Sequence, residues 1–330
     1  MENRVSLIDE NHVVVDVKDL KKYYPTGAKG LFGGKRLQLH ALDGVSFQIR
    51  KGEIFGVVGE SGCGKSTLGS SLLRLLEISG GTILFEGTDI TAMDRGALKR
   101  YRRDMQMIFQ NPFSSFNPKQ TIGSSLREVG KVHGMSRSET EEKIQILLDY
   151  ISLPEDILSR SPTELSGGQL QRLAIARALI LDPKFIVADE AVSALDVSVQ
   201  AQILNLIVDL RKKLQVTMLF ISHEMTVVEH ICDTVAVMYL GKIVEMAPTA
   251  ELFHNLLHPY TQALMSAIPK PDPDIDKQRI ILEGDVQSAI NLPIGCRFAS
   301  RCRNRTEQCG QSEPELRCVG NGHFVACHLV

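Results

Sequence analysis

No apolar run in this chain approaches the ~20 residues that a helix needs to cross a bilayer, so the sequence predicts no membrane span. The first residues, MENRVSLIDENH, are acidic and polar and lack the apolar core of a signal peptide. The expected compartment is therefore the cytoplasm. A strong charge bias is also missing: 37 Lys and Arg stand against 39 Asp and Glu, a formal net charge of −2. Nothing in that balance argues for nucleic acid as a partner. The local basic run LKRYRR, Leu98 to Arg103, reads as a solvated helix face, with a contact to anionic lipid or a partner as the alternative. Cysteine is scarce through most of the chain. Cys63 and Cys232 stand alone in the first 240 residues, whereas Cys296, Cys302, Cys309, Cys318 and Cys327 crowd the last 35. In a reducing compartment such a cluster points to a metal site before disulfides.

What is present is ordinary for a globular protein: 43% hydrophobic and 23% charged residues over 330 positions, enough for one large domain or two smaller ones. VVVDVKDL (13–20) and HALDGVSFQI (40–49) alternate and are β-branched, as strands are. The glycine-rich PTGAKGLFGGK between them reads as a loop. IFGVV (54–58), KFIVADE (184–190) and TMLFIS (217–222) read as buried strands. STLGSSLLRLLE, QLQRLAIARALI and SVQAQILNLIVDLRKKL read as helices, and GTILFEGTDI as a further strand with a turn. From Pro112 to about Pro162 the pattern is helical, as in SETEEKIQILLDYI. Helices alternating with buried strands predict an α/β fold on a parallel sheet. IPKPDPDIDK (268–277) reads as a linker into the cysteine-rich tail.

Strand, glycine-rich loop and helix meet at GESGCGKST. The spacing Gly59-x-x-x-x-Gly64-Lys65-Ser66 is that of a Walker A loop. Its glycines let backbone N–H groups wrap phosphates, Lys65 reaches the β- and γ-phosphates, and Ser66 offers a hydroxyl to Mg²⁺. Ser61, Gly62, Cys63 and Thr67 complete the cradle. Asp189 and Glu190 emerge at the end of FIVADE. There Asp189 is suited to hold Mg²⁺ through water and Glu190 to polarise an attacking water.

The segment LSGGQ, Leu165 to Gln169, then decides between phosphate as product and phosphate as fuel. It resembles the signature of ATP-binding cassette (ABC) ATPases. The resemblance implies a P-loop core with a parallel sheet, an antiparallel β subdomain, and a helical signature subdomain at about 112–165. It assigns residues 1–267 to the ATP-binding domain and 268–330 to a Cys-rich C-terminal extension. Within it Gln110 of IFQNP resembles the Q-loop, a ligand of Mg²⁺ that links the γ-phosphate to the membrane partner. SALD (193–196) resembles the D-loop, and His223 of FISHE the switch histidine. Tyr24 resembles the adenine-stacking aromatic, with Tyr23 as the alternative register. Family mechanics imply that two cassettes sandwich ATP head to tail, so that Ser166, Gly167, Gly168 and Gln169 serve the partner's nucleotide. One departure is DEAVSALD, where Ala191 and Val192 replace the family's Pro and Thr. Glu190 is kept, so the site is still expected to be active.

MIFQNPFSSFNPKQTIG, VAVMYLGKIVE, HPYTQALMSAIP and GDVQSAINLPIGCRFASRC are similar to the oligopeptide/dipeptide permease branch. ISHEMTVVEHI and GDVQSAI are more like its F-type than its D-type ATPase subunit. The branch implies a D-type ATPase partner, two transmembrane permease subunits and an extracytoplasmic binding protein, with this chain at the cytoplasmic face of the inner membrane. Nickel, opine or glutathione import is the alternative cargo, and a soluble non-transport ABC ATPase the alternative class. The pattern Cys296, Cys302, Cys309, Cys327 resembles that of branch members carrying a [4Fe–4S] cluster, with Cys318 outside the set. Zinc and bare thiols stay open, although the absence of tight Cys-x2-Cys knuckles leans against zinc.

Overall fold

The computed structural model describes residues 8–26, 37–268, 280–282, 284 and 287–330. Most of the predicted loop at 25–35 and nearly all of the predicted linker at 268–277 lie outside those residues. The chain forms two compact units. One comprises 1–14, 49–54 and 92–221; the other comprises 15–48, 55–91 and 222–330.

The first unit contains three parallel strands, with Phe185–Asp189 between Met105–Ile108 and Thr217–Ile221. Every residue of the Phe185–Asp189 and Thr217–Ile221 strands is buried. Such continuous apolar runs belong to parallel strands covered on both faces. The helices Gly167–Leu179 and Val197–Leu214 accompany them. The latter ends at Gln215 in a left-handed conformation, with Arg211, Lys212 and Lys213 in its last turn, where positive charge suits the helix dipole.

The same unit holds the helical segment. Helices Ile122–Val132 and Arg137–Tyr150 are adjacent in sequence, and Ser136 and Glu139 form a reciprocal capping box at the start of the second. Gly130 allows the two to approach: a Cβ there would lie 2.2 Å from Thr140 Oγ1. The basic run 98–103 is helical only to Leu98 and continues in turns. It presents Lys99, Arg100 and Arg103 to solvent.

The second unit contains Phe55–Val58 of a fully buried strand, paired in parallel with Thr234–Tyr239. Thr234–Tyr239 turns through Leu240 and Gly241, both at positive φ, into the antiparallel strand Lys242–Pro248. A separate antiparallel sheet has the order Leu37–Lys51, Asp9–Thr26, Gly80–Phe85, Thr88–Asp89. The helix after the phosphate loop, Lys65–Leu72, is shorter than its apolar pattern suggests. Arg74 takes a left-handed φ of 50°. Its guanidinium donates to the carbonyls of Ile90 and Leu76 at 3.2 and 3.1 Å, which fixes the turn.

The tail does not stand apart. Its short strands Arg317–Gly320 and His323–Val325 extend the sheet beyond Lys242–Pro248. This docking buries a polar pair: His323 lies 2.9 Å from Glu245, with side chains 1% and 0% exposed. Glu245 also accepts from the backbone N–H groups of Leu257 and His258, so its carboxylate is well compensated. His258 is itself buried, and burial pushes its pKa down to about 4. The neutral ring suits its task, because Nδ1 accepts from the N–H of Tyr260 and caps the helix Pro259–Ser266.

Candidate active site

The phosphate loop leaves the Ile54–Val58 strand at Gly59. A Cβ on Gly59 would sit 2.3 Å from the carbonyl oxygen of Met238, and one on Gly64 would sit 2.2 Å from that of Ala41. Both positions therefore require glycine. Gly62 also has positive φ but meets nothing within 4 Å, so its role is conformational only. Lys65 is buried, and its ammonium donates to the carbonyls of Gly59 at 2.8 Å and Glu60 at 3.1 Å. The loop thus curls around its own lysine. Ser61, Gly62 and Ser66 are exposed along it, whereas Cys63 is buried and its thiol pKa is raised by that burial.

In the other unit, Asp189 closes a buried strand and Glu190 follows with a left-handed φ of 47°. That conformation is costly for a residue with a side chain. Three bonds hold it: Glu190 N–H donates to Ile221 O at 3.0 Å, while Ser193 N–H and Oγ donate to Glu190 O at 3.1 and 3.0 Å. The carboxylate accepts from Gln110 Nε2 at 2.8 Å. Two residues singled out 80 positions apart are therefore in direct contact.

Ser166 caps the helix Gly167–Leu179. Its Oγ accepts from Gln169 N–H at 3.3 Å, and Gln169 Oε1 accepts from Ser166 N–H at 3.0 Å. The signature is thus a capping box, which presents a helix N-terminus rigidly. Gly168 passes close to Val199, whose Cγ1 would lie 2.6 Å from an added Cβ.

Residues 42–193 match the family described as ABC transporter, and residues 244–309 match the oligopeptide/dipeptide transporter C-terminal region. A putative peptide import ATP-binding protein of Brucella ovis is 49% identical over 95% of this chain and 97% of its own length. The chain belongs to the ABC transporter family. The oligopeptide transport ATP-binding protein AppF of Bacillus subtilis is 46% identical over 96% of the chain and 97% of its own length. Among solved structures, cbiO1 of Clostridium perfringens, part of the cbiONQ complex, superposes with a TM-score of 0.64 at 26% identity. It covers 74% of this chain and 92% of that one. The cassette MJ0796, seen as a dimer bound to ADP and Pi, gives a TM-score of 0.62 at 27% identity, covering 71% and 98%. ATP hydrolysis coupled to transport is accordingly the activity of this ABC subunit. Among the described residues of the cassette, no helix is long and apolar enough to cross a membrane.

The two candidate adenine-stacking tyrosines of the ABC chain differ in their surroundings. Tyr23 is built into the fold: its hydroxyl donates to Asp43, its N–H donates to Ser79 Oγ at 2.9 Å, and its ring lies 4.2 Å from that of His40. Burial and the Asp43 carboxylate hold its phenol well above the ordinary range. Tyr24 has the Lys22 ammonium 4.7 Å over its ring. Tyr24→Ala should therefore weaken nucleotide binding by about 1–3 kcal/mol, by analogy with base stacking on aromatics. Tyr23→Ala should mainly lower the melting temperature. Parallel titrations with a fluorescent ATP analogue check this, and the reverse ranking would mean that the register is off by one. His223 is exposed, with Nε2 3.9 Å from Glu224 Oε1.

The iron–sulfur expectation for the ABC subunit's tail finds no support among the described residues. Among the described residues, no group of three or more His, Cys, Asp or Glu is arranged to hold a metal ion, whether a cluster or zinc. None of the seven cysteines is joined in a disulfide. Cys296, Cys302 and Cys327 are held above the ordinary thiol range, chiefly by burial. Burial pushes Cys296 up to about 11. The sequence reading also missed two contacts made by the tail, Arg301 to Glu60 of the phosphate loop and Arg297 to Asp43 of the strand Leu37–Lys51. Their only sequence signal was the placement of both arginines between Cys296 and Cys302.

Proposed function

We propose that this chain is the ATP-hydrolysing subunit of a bacterial importer for di- or oligopeptides. The observation that carries the reading is the 49% identity, along 95% of the chain, to a relative named as a peptide import ATP-binding protein. The cassette is taken as residues 1–267, with its helical subdomain at about 112–165, and the C-terminal extension as residues 268–330. In this reading Gly59, Ser61, Gly62, Cys63, Gly64, Lys65, Ser66 and Thr67 cradle the ATP phosphates, and Tyr24 stacks on adenine. The glycine positions that no Cβ can occupy support a cradle of that kind.

Ser66, Gln110 and Asp189 offer hydroxyl, amide and carboxylate oxygens, the hard donors that Mg²⁺ takes, and would hold it. Bound there, Mg²⁺ would offset charge on the β- and γ-phosphates. Glu190 accepts the proton of the attacking water, Gln110 orients that carboxylate, and His223 contacts the γ-phosphate. Ser166, Gly167, Gly168 and Gln169 serve the nucleotide of a partner cassette. That partner is a D-type subunit, this chain taking the F-type seat, beneath two permease subunits fed by an extracytoplasmic binding protein. The complex sits at the cytoplasmic face of the inner membrane.

The test is uptake of labelled peptides into proteoliposomes assembled from this chain, its membrane partners and the binding protein. ATP inside should drive di- or oligopeptide accumulation. ATP hydrolysis without uptake of any peptide in a mixed library would overturn the cargo.

A further inference from the structure

Glu60, the second residue of the phosphate loop, is held from three directions. Its carbonyl accepts from Lys65 Nζ at 3.1 Å. Its N–H donates to the hydroxyl of Tyr260 at 2.9 Å. Its carboxylate takes both arms of the Arg301 guanidinium, Nη1 at 2.7 Å and Nη2 at 3.0 Å. Two of these three ties come from the segment that matches the oligopeptide/dipeptide transporter C-terminal region, outside the residues that match the ABC transporter family.

The support behind them is rigid. Tyr239, Tyr260 and Phe298 form a buried aromatic block with ring centroids 4.8 to 5.4 Å apart. Arg301 lies against it, 5.9 Å over the Tyr239 ring, with its side chain only 7% exposed. Four residues earlier, Arg297 pairs with Asp43 and with Glu313.

A glutamate in this loop is a liability, because ATP brings several negative charges to the same backbone. A bidentate guanidinium cancels that charge and fixes its direction more firmly than an ammonium could. It also fixes the carbonyl of Glu60, and hence one of the two oxygens that seat Lys65. We propose that Arg301 is a positioning residue for ATP binding, through which the C-terminal region neutralises Glu60 and holds the phosphate loop and Lys65 in their binding geometry. This rests on the reading of Gly59–Thr67 as the phosphate site.

The test is affinity of the full-length chain for a fluorescent ATP analogue, with Lys65→Ala as reference. Arg301→Gln should weaken binding about tenfold, since it leaves a charge unpaired beside the phosphates. Arg301→Lys should recover part of the loss. The decisive variant is Glu60→Gln/Arg301→Gln, which should bind within about twofold of Glu60→Gln alone, because a neutral residue 60 no longer needs a counter-charge. The Arg301→Gln defect should shrink at high salt. In the assembled transporter it should raise KM with little change in kcat.

Wild-type affinity in Arg301→Gln, or no rescue by Glu60→Gln, overturns the proposal; the latter would make Arg301 merely structural. If Arg301→Gln does not fold, the double variant decides alone: folding with near-Glu60→Gln affinity supports the proposal, and failure sinks it. If wild type and Lys65→Ala bind equally weakly, the phosphate-site reading fails instead, and the proposal with it.

Discussion

Glu190→Gln is expected to bind ATP and to hydrolyse it about 10²–10⁴-fold more slowly, the usual loss when a positioned general base is removed. The geometry makes this a sharp test. Residue 190 is held in a left-handed conformation by Ile221 and Ser193 backbone and side-chain bonds, none of which involve its carboxylate. The amide of the variant should therefore occupy the same place. What changes is basicity, together with the bond to Gln110, where Gln110 Nε2 now donates to a carboxylate oxygen at 2.8 Å. Single-turnover hydrolysis in the assembled transporter, with the partner cassette inactivated, isolates this site. Near-normal turnover there would remove Glu190 from its role, and lost nucleotide binding would mean that the substitution disturbed more than chemistry.

Gly64→Ala is expected to lower nucleotide affinity about 10–10²-fold, corresponding to the ~1–3 kcal/mol cost of a strained backbone position. The added Cβ would lie 2.2 Å from the Ala41 carbonyl oxygen, at a φ of 109°. The obstacle is backbone, so no rotamer change relieves it. Gly64 is also the residue from which the Lys65–Leu72 helix departs, and it has no side-chain cap. Moving it moves the N–H groups that would face phosphate. Gly62→Ala is the control: its Cβ meets nothing within 4 Å, so only the positive φ resists it. Titration of both variants with a fluorescent ATP analogue should rank Gly64→Ala well below Gly62→Ala. Equal affinities would show that the loop tolerates displacement and that the contact with Ala41 is unimportant to binding.

The parts of the molecule that were legible in the sequence are those specified locally. IFGVV and MLFI carry no polar side chain because parallel strands are buried on both faces. GESGCGKST and LSGGQ carry their geometry in glycine spacing and in the Ser166–Gln169 cap. Other features depend on partners far along the chain. The Lys65–Leu72 helix stops early because Arg74 finds the carbonyl of Ile90. The His323–Val325 strand is too short for a periodic signal, and its reason to exist is a buried histidine paired with Glu245, 78 residues away. The left-handed backbone of Glu190 leaves no mark on residue type, since nothing about a glutamate announces positive φ.

The ion pair between Glu60 and Arg301 also sets an order of events during synthesis. The two residues are 241 positions apart. At about 5–20 residues per second, the ribosome releases the phosphate loop roughly 10–50 s before the guanidinium that steadies it. For that interval the nascent chain carries a complete GESGCGKST but a glutamate without its counter-charge. Full affinity for ATP then arrives near the end of translation. A chain cut short before Arg301 would not draw on the nucleotide pool as the finished subunit does.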